Sequence, residues 1–573
     1  MKRSAVVALV WAAPSALLVA TTAIVTSAYR IAAPAPLDPA ALNCLRAPDA
    51  ACSVHGEGGR LVATVWLDGR TIARAEGEAD ELGTAIEITA RGLRGRVPPG
   101  ARIQLDRIGP HAPLGLPIAL PWIDEIAAIA PGLEGVGAGS ALVLPHELVA
   151  DKLVASRQLS EQAGDFASGI DRARVRKLLA AEPSFRFRTD AVVEQRGGPP
   201  LPLVRGNTPA PPLTANALRE GALAGGRYLV AHLTANGRFV YQHDLATGAQ
   251  SDPVRGEYSL PRHAGTTYFL AELYRITKQE WLREPIERAI GHLAQLIAAG
   301  HCGTEAFDCL LDRNERSAQL GSTALAVVAL AEYQRATGDA RYLPLATRLA
   351  AFLLWMQRAD GSFRHVYDPR ARTADERSQQ MYFSGEAALA LARMHAVTGD
   401  ERYAAAAERA LDWLVAWYDF FVGGFFYGEE HWTCIAAEAI WPAVQKPAYR
   451  AFCDSYAEWS RSNQVTTGEL AGAYDTTPFI VPYNTPAGSR TEAMVSTYLL
   501  DVHHDAPDPR IAEQIRLTLG YLLGQQVRPD NDFAAVGPVD GGIPQSAIDR
   551  TVRIDYVQHV CSAMIRASET LPW

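Results

Sequence analysis

The sequence predicts a mainly α chain: a C-terminal closed ring of six helical hairpins, preceded by a small α+β domain and an N-terminal transmembrane anchor. Three observations carry this expectation. An uncharged run opens the chain, a proline-rich seam divides it, and one turn motif recurs at a fixed spacing beyond the seam.

The anchor is assigned to residues 1–30. Lys2 and Arg3 precede an uncharged run from Ser4 to Tyr29, longer than the roughly 7–15 apolar residues of a secretory signal and sufficient for the roughly 20 of a spanning helix. With both cations on the short side, the bulk of the chain is expected across the membrane, periplasmic or at the cell surface. A long signal peptide cleaved near Ser27-Ala28 is the competing reading, and it exports the remainder equally. Cysteine usage agrees with export. Six of the seven cysteines fall as close pairs, Cys44 with Cys52, Cys302 with Cys309 and Cys434 with Cys453, leaving Cys561 over. Disulfides are the simplest reading in an oxidising compartment; reduced core thiols and a metal site are the alternatives, and no CxxC spacing favours zinc.

Residues 31–195 read as a small α+β domain. Leu61 to Glu76 alternates apolar and polar residues around Asp68-Gly69, a hairpin signal. A short helix over Glu81–Gly92 and strands over Arg102–Ile108, Ser140–Leu144 and Phe185–Val193 follow. No nucleophile, phosphate loop or ligand cluster stands out there, so a packing, spacer or recognition role is expected. Residues 196–213 contain the run RGGPPLPLVRGNTPAPP, which is linker or surface-hugging composition.

Residues 214–573 carry the repeat. Thr337-Gly-Asp-Ala-Arg-Tyr342 recurs as Thr398-Gly-Asp-Glu-Arg-Tyr403, with Thr277-Lys-Gln-Glu-Trp281 at the same point of the pattern, about 60 residues apart each time, the signature of repeat architecture. Apolar helices precede these turns (Gly265–Ile276, Thr323–Ala336, Gly385–Val397) and second helices follow. Gly-Asp supplies a helix stop and then an N-cap. Glycine turns at Asn236-Gly237, Asp360-Gly361, Gly423-Gly424 and Gly541-Gly542 follow the second helices. Two further hairpins lie at Thr433–Arg461 and Glu492–Gln526. The helix Ala215–Leu233 has no partner before it and Ile554–Thr570 none after it, so pairing these two closes the ring and leaves no open apolar face.

Composition excludes other classes. With 54 Lys+Arg against 63 Asp+Glu the net charge is −9, and no basic stripe is present to grip nucleic acid. Hydrophobic residues at 48% and charged residues at 20% exclude disorder as the main state.

With these residues in view, the C-terminal part resembles the α/α-toroid, or (α/α)6-barrel, superfamily, which includes six-hairpin glycosidases, unsaturated glucuronyl hydrolases, sugar 2-epimerases and polysaccharide lyases. Trp355-Met-Gln-Arg-Ala-Asp-Gly-Ser-Phe363 is similar to the Q-x-x-DGSF turn of such toroids. The resemblance is architectural, reaches no single family, and implies a carbohydrate-active enzyme; one scaffold hosts many chemistries. The DxDD motif of cyclases and the zinc ligands of lanthionine cyclases are not found.

In such a ring the loops entering the inner helices share one rim, the mouth, and polar residues there are the candidates. Arg262-His263 precedes the first inner helix, and Glu315, Arg316 and Gln319 the second. Tyr382 and Glu386 stand at the third, Glu429, Glu430 and His431 at the fourth, Arg490 and Glu492 at the fifth, and Arg553, Asp555 and His559 at the sixth. Tyr241, Asp244, His365, Tyr367 and Asp368 follow glycine turns at the same end. Charge entering an Ala/Leu-rich helix is expensive unless compensated. Glu386, Glu430, Glu492, Asp555, His263 and His559 are the catalytic candidates; Arg262, Arg316, Tyr367, Tyr382, Trp432, Arg490 and Arg553 are the candidates for binding substrate. No metal or other cofactor is expected. Each has a structural competitor: Glu386 and Glu492 as first-turn carboxylates, Arg490 and Arg553 as their ion-pair partners, His263 as a packing histidine, His559 as a partner of Asp555 one turn earlier. Aromatic residues Tyr367, Tyr382, Phe425, Phe426, Tyr427 and Trp432 suit sugar stacking.

Acids, arginines, histidines and tyrosines together suit work on a glycan. A carboxyl pair would serve hydrolysis; arginines holding a uronate while Tyr or His takes the α-proton would serve a lyase or epimerase. These stay open, as does a non-catalytic glycan-binding or envelope-polysaccharide assembly factor, or a ring acting on peptides or isoprenoids.

Overall fold

Asp68 and Gly69 both take positive φ (50° and 79°), the turn that reverses β1 (Glu57–Leu67) into β2 (Arg70–Glu81) with the twist a two-residue hairpin requires. The structure, a computed structural model, describes residues 31–47, 51–113, 129–150, 184–297, 302, 304–312, 316–422, 431–474 and 481–573. The expected anchor, residues 1–30, lies outside these. No helix among the described residues is long and apolar enough to cross a membrane.

Helix α1 (Ala41–Arg46) precedes the hairpin and α2 (Leu82–Leu93) follows it. Strands β3 (Arg102–Pro113), β4 (Glu134–Ala138), β5 (Ala141–Val143), β6 (Ser184–Val193) and β7 (Leu201–Leu203) complete an antiparallel sheet ordered β2-β1-β3-β6-β4-β5, with β7 on β6; α3 (Pro145–Ala150) follows β5. Helix α2 buries Leu82, Ala85, Ile86, Ala90 and Leu93 against the sheet. Strand β4 packs closely on β6 because Gly135 and Gly137 leave room for the rings of Phe187 and Phe185. The proline-rich segment is not a free tether: it supplies β7, and Thr208 donates to Asp530 (2.9 Å).

From Ala215 onward the chain alternates outer and inner helices. They are α4 (Ala215–Ala231), α5 (Leu260–Thr277), α6 (Arg283–Leu296), α7 (Leu320–Thr337), α8 (Leu343–Met356), α9 (Phe383–Thr398), α10 (Glu401–Val422), α11 (Trp432–Ile440), α12 (Pro447–Ser462), α13 (Asn484–His503), α14 (Pro509–Gln525) and α15 (Ile554–Thr570). Inner helices α5, α7, α9, α11, α13 and α15 each pack on the next, and α15 packs on α5. The circle is closed, with α4 lying against α15 as the sixth outer helix. This part of the chain is an (α/α)6 toroid. Inner helices such as α7 are buried on nearly all sides, as a helix apolar all round must be.

The recurring turns do two jobs. Gly338 and Gly399 end their inner helices in the left-handed region (φ 74° and 69°), and the following Asp caps the next segment: Asp339 Oδ1 accepts from Arg341 N (2.9 Å) and Asp400 Oδ1 from Arg402 N (3.0 Å). The exits of the outer helices are latched to their neighbours. Gln357 Nε2 donates to Ala406 O, Gln464 Nε2 to Gln514 O and Gln526 Nε2 to Gly221 O, each at 2.9 Å. A nearby glycine lies against the same neighbour. A Cβ on Gly361 would strike Arg409 O, on Gly472 Leu517 O, and on Gly541 Ala224 O. The Q-x-x-DGSF turn is thus a hairpin-to-hairpin fastener, with counterparts at two later exits, the last of which meets the first helix.

That geometry sets a test. Gly361→Ala is expected to destabilise the toroid by about 2–4 kcal/mol, since it adds a backbone collision to the roughly 1–2 kcal/mol of a left-handed conformation. Gly338→Ala, with open space around its Cβ position, meets only the conformational cost. Equal losses for the two in urea unfolding would show that the contact with Arg409 carries nothing.

One layer of the interior was not foreseen. Glu272, Glu332, Arg393, Glu438, Ser496 and Arg566 come one from each inner helix and gather beyond the mouth, toward the helix C-termini. Arg566 donates to Ser496 Oγ (2.7 Å) and stands 3.6 Å from Glu438 and 3.9 Å from Glu272. Glu332 meets Arg275 and Arg335 at 2.5 Å each and Arg393 at 4.0 Å.

The two domains meet over the loop that enters α15. Arg102 pairs with Asp532 (2.6 Å) and donates to Pro529 O (2.8 Å), and Trp66 packs edge-on against Phe533. The three expected cysteine pairs are disulfides, and Cys561 is free and buried.

Candidate functional site

Helix α13 begins at Asn484, so Glu492 is past its second turn and is no capping residue. The helix starts early because Pro486 fits a first turn and Gly488 lets the backbone press on α15, where a Cβ would meet Val560 N. The Glu492 carboxylate is buried at the mouth end of the ring. Its Oε2 lies 2.6 Å from His559 Nδ1 and 4.0 Å from His431 Nε2. The two imidazoles face each other edge to face, with centroids 5.0 Å apart.

Three inner helices supply this cluster. His431 is the residue before α11, Glu492 belongs to α13 and His559 to α15. Trp432 walls it, 4.5 Å from the His431 ring and 5.9 Å from His559. Tyr382, the residue before α9, approaches His431 at 6.1 Å and is held at φ 77°, a conformation uncommon for a bulky residue and concentrated at functional sites.

His559 gives its hydrogen bond to Glu492 and not to Asp555, the partner that helical spacing suggested. Asp555 is engaged otherwise. Arg553 approaches both its oxygens (2.6 and 2.9 Å) and Arg262 approaches Oδ2 (3.1 Å), while Arg262 donates to Tyr241 OH (2.5 Å). Two guanidiniums on one carboxylate leave a net positive charge one helical turn from His559.

Other candidates lie elsewhere. His263 faces away from the mouth: Tyr258 OH lies 2.6 Å from Nδ1, and Nε2 is 3.0 Å from Ala289 O on α6. Burial lowers its pKa to about 3, so it is a neutral packing group between the layers. It is adjacent to Arg262 in sequence, but neighbours on a helix point about 100° apart. Tyr367 is buried, its hydroxyl donating to Cys302 O (2.7 Å) beneath Phe307 and Trp355, and so is unavailable for stacking. His365 accepts from Gln380 N (2.7 Å), meets Ser384 Oγ (3.0 Å) and is lowered by burial to about 4. Asp244 and Asp368 cap their own turns. Arg316 is exposed, with φ 55°. Glu386 is buried on α9 against Gly321, where a Cβ would strike its Oε2. Arg490 is buried and stacks over Tyr474 at 5.2 Å. Glu430, with Glu315, Phe425, Phe426, Tyr427 and Glu429, lies outside the described residues.

His431 entered the sequence analysis only as the end of Glu429-Glu430-His431. Its position before Trp432 at a helix start was the available signal. Together, His431, Glu492 and His559 are the group among the described residues able to hold a metal ion, their ligand atoms lying within 4.8 Å of one another. The same three residues suit proton transfer, with a carboxylate fixing the tautomer of an imidazole that works through its other nitrogen.

No family profile matches the chain, and no curated protein matches its sequence. Solved structures do resemble it. Cellobiose 2-epimerase of Bacillus thermoamylovorans B4167 is 13% identical over 61% of this chain and 98% of its own, at a TM-score of 0.48. A D-mannose isomerase is 13% identical over 62% and 97%, also at 0.48. A GH76 α-mannanase of Bacteroides thetaiotaomicron is 12% identical over 62% and 96%, at 0.44. Likeness at this identity is one of architecture alone.

Proposed function

We propose that the protein is a carbohydrate-active enzyme, acting outside the cytoplasm and held there by residues 1–30, that moves a proton at the carbon beside the carbonyl of an open-chain sugar. One observation carries this reading: His431 and His559 stand face to edge at 5.0 Å across a buried Glu492. Hydrolysis requires two carboxyls flanking a bond, whereas two imidazoles about one point serve proton abstraction and return.

With Nδ1–H of His559 donated to Glu492, the His559 Nε2 lone pair is the base. It takes the proton from C2, and the C–H electrons pass into an enediolate. Return of a proton to the opposite face of C2 from His431 gives the epimer; delivery to C1, with the O2 proton passing to O1, gives the ketose. Negative charge develops on the oxygens during this step, and the Arg262–Asp555–Arg553 cluster adjoins His559 with its surplus positive charge. Trp432 offers a face for the sugar. The disulfides support an oxidising, extracytoplasmic setting.

The test is incubation of the full-length chain with reducing mono- and disaccharides and acidic oligosaccharides in D2O. Deuterium is expected at C2 of the reactive sugar, with an epimer or ketose appearing. New reducing ends without C2 exchange would replace this reading with hydrolysis, and binding without conversion would replace it with a glycan-binding role. Activity abolished by a chelator and restored by zinc would recast the three residues as a metal site.

A further inference from the structure

Where the sheet domain rests on the toroid there is a cavity of ≈ 40 Å³, lined from both sides. Trp66 and His146 come from the sheet domain, Arg205 from the segment between the domains, and Gln525, Ser546 and Arg550 from the end of the fifth hairpin and the loop entering α15. A water needs roughly 10–15 Å³ on this measure, and organic ligands occupy pockets of roughly 300–1,000 Å³. The space therefore suits a few waters or one compact anion.

The polar groups facing it are mainly donors. Trp66 Nε1 donates to Gln104 Oε1 (3.1 Å), which fixes the orientation of that amide. Gln104 Nε2 then gives one hydrogen to Asp106 Oδ2 (2.9 Å) and the other to His146 Nδ1 (3.0 Å). His146 Nδ1 is thus an acceptor, and burial keeps the ring neutral by lowering its pKa to about 3. Its proton sits on Nε2, a nitrogen buried with no partner among the described residues. Arg205 Nε is likewise buried without a partner, its other nitrogens being engaged by Pro131 O and Glu469. Ser546 Oγ already accepts from Ile548 N and Asp549 N, leaving its hydroxyl proton to give.

Arg550 supplies the charge. No carboxylate among the described residues lines the cavity. The Arg550 guanidinium is left without a hydrogen bond or ion pair among the described residues, and desolvation lowers its pKa to about 10, with the Asp244 carboxylate acting in the opposite sense. Arg550 is only partly exposed, and cations drawn back from water are ordinarily paired. The remaining orphan, Gln525 Oε1, accepts from a protonated oxygen, which hydrogen phosphate carries.

We infer that this interdomain cavity is a binding site for a compact oxyanion, either inorganic phosphate or the phosphoryl group of a phosphorylated sugar, held by Arg550, Arg205, His146 and Ser546. Such an anion would fasten the sheet domain to the loop three residues before Arg553. The site is separate from the His431–Glu492–His559 cluster and does not depend on its chemistry.

Calorimetric titration of the full-length chain, at constant ionic strength to hold screening fixed, tests it with inorganic phosphate, glucose 6-phosphate and glucose. Phosphate is expected to bind saturably at one site and raise the unfolding midpoint with concentration; glucose is expected not to bind there. Arg550→Gln should weaken phosphate at least tenfold and Arg550→Lys less, with near-wild-type circular dichroism. Tighter binding of glucose 6-phosphate would identify a phosphorylated sugar as the ligand, and tighter binding of phosphate the free ion. No saturable binding by the wild-type chain, or equal binding by a folded Arg550→Gln, would overturn the inference.

Discussion

His559→Asn is expected to lower turnover by about 10²–10⁴-fold, the contribution of a positioned general acid or base, with C2 deuterium exchange lost in parallel. Asn can still donate to Glu492, so the buried carboxylate keeps a partner and the fold should persist. Glu492→Gln asks a different question. Glu492 acts through His559, 2.6 Å away, so it is a positioning residue. Its amide variant should reduce turnover more than it changes KM and should alter the pH–rate profile, because the group that fixes the imidazole tautomer is neutralised. A Glu492→Gln enzyme with an unchanged profile, or a His559→Asn enzyme within threefold of wild type, would remove the cluster from the chemistry.

The second large effect is on stability. Glu332→Gln should cost about 3–5 kcal/mol, since removing one member of a buried ionic group leaves the others uncompensated. Burial alone would raise the Glu332 carboxyl, but Arg335, Arg393 and Arg275 outweigh it and hold it at about 2. The folded value is below the unfolded one of 4.5, so this stabilisation is complete above pH ~4.5 and disappears as the pH falls toward 2. Urea midpoints of the wild type should decline across that window, and those of the variant should decline less. A double replacement of Glu332 and Arg393 by leucine should recover part of the loss, because an apolar pair of similar bulk removes the desolvation cost from both sides. Parallel pH profiles for wild type and Glu332→Gln would show that the layer does not act as argued.

That layer also marks a limit of reading along the chain. Glu272, Glu332 and Arg393 each stand five residues before the threonine of the recurring turn, so their shared register was visible. What the register signified was not. In sequence, Glu332 next to Arg335 looks like an exposed helix pair, and only the closed ring makes it an interior charge. Misplacement of the start of α13 has a similar origin. Asn484 to Arg490 contains Pro486 and Gly488 and has loop composition; burial against α15 overrides that local preference, and with it goes the choice between capping and function for Glu492. His263 and Arg262 show the converse. Both were assigned to the mouth because both open a helix, but side-chain direction sends one between the layers and the other to Asp555.

By itself, the sequence determined the elements that local chemistry specifies: the turn at Asp68-Gly69, the helix stops at Gly338 and Gly399, the capping aspartates after them, the three short-range disulfides and the count of hairpins that closes a ring. These depend on residues within a few positions of one another or on a repeat whose period is visible in one dimension. Tertiary structure alone decided which charged residues meet. His431, Glu492 and His559 lie on three helices far apart in the chain, and their partnership exists only because a closed ring brings the starts of its inner helices to a common rim.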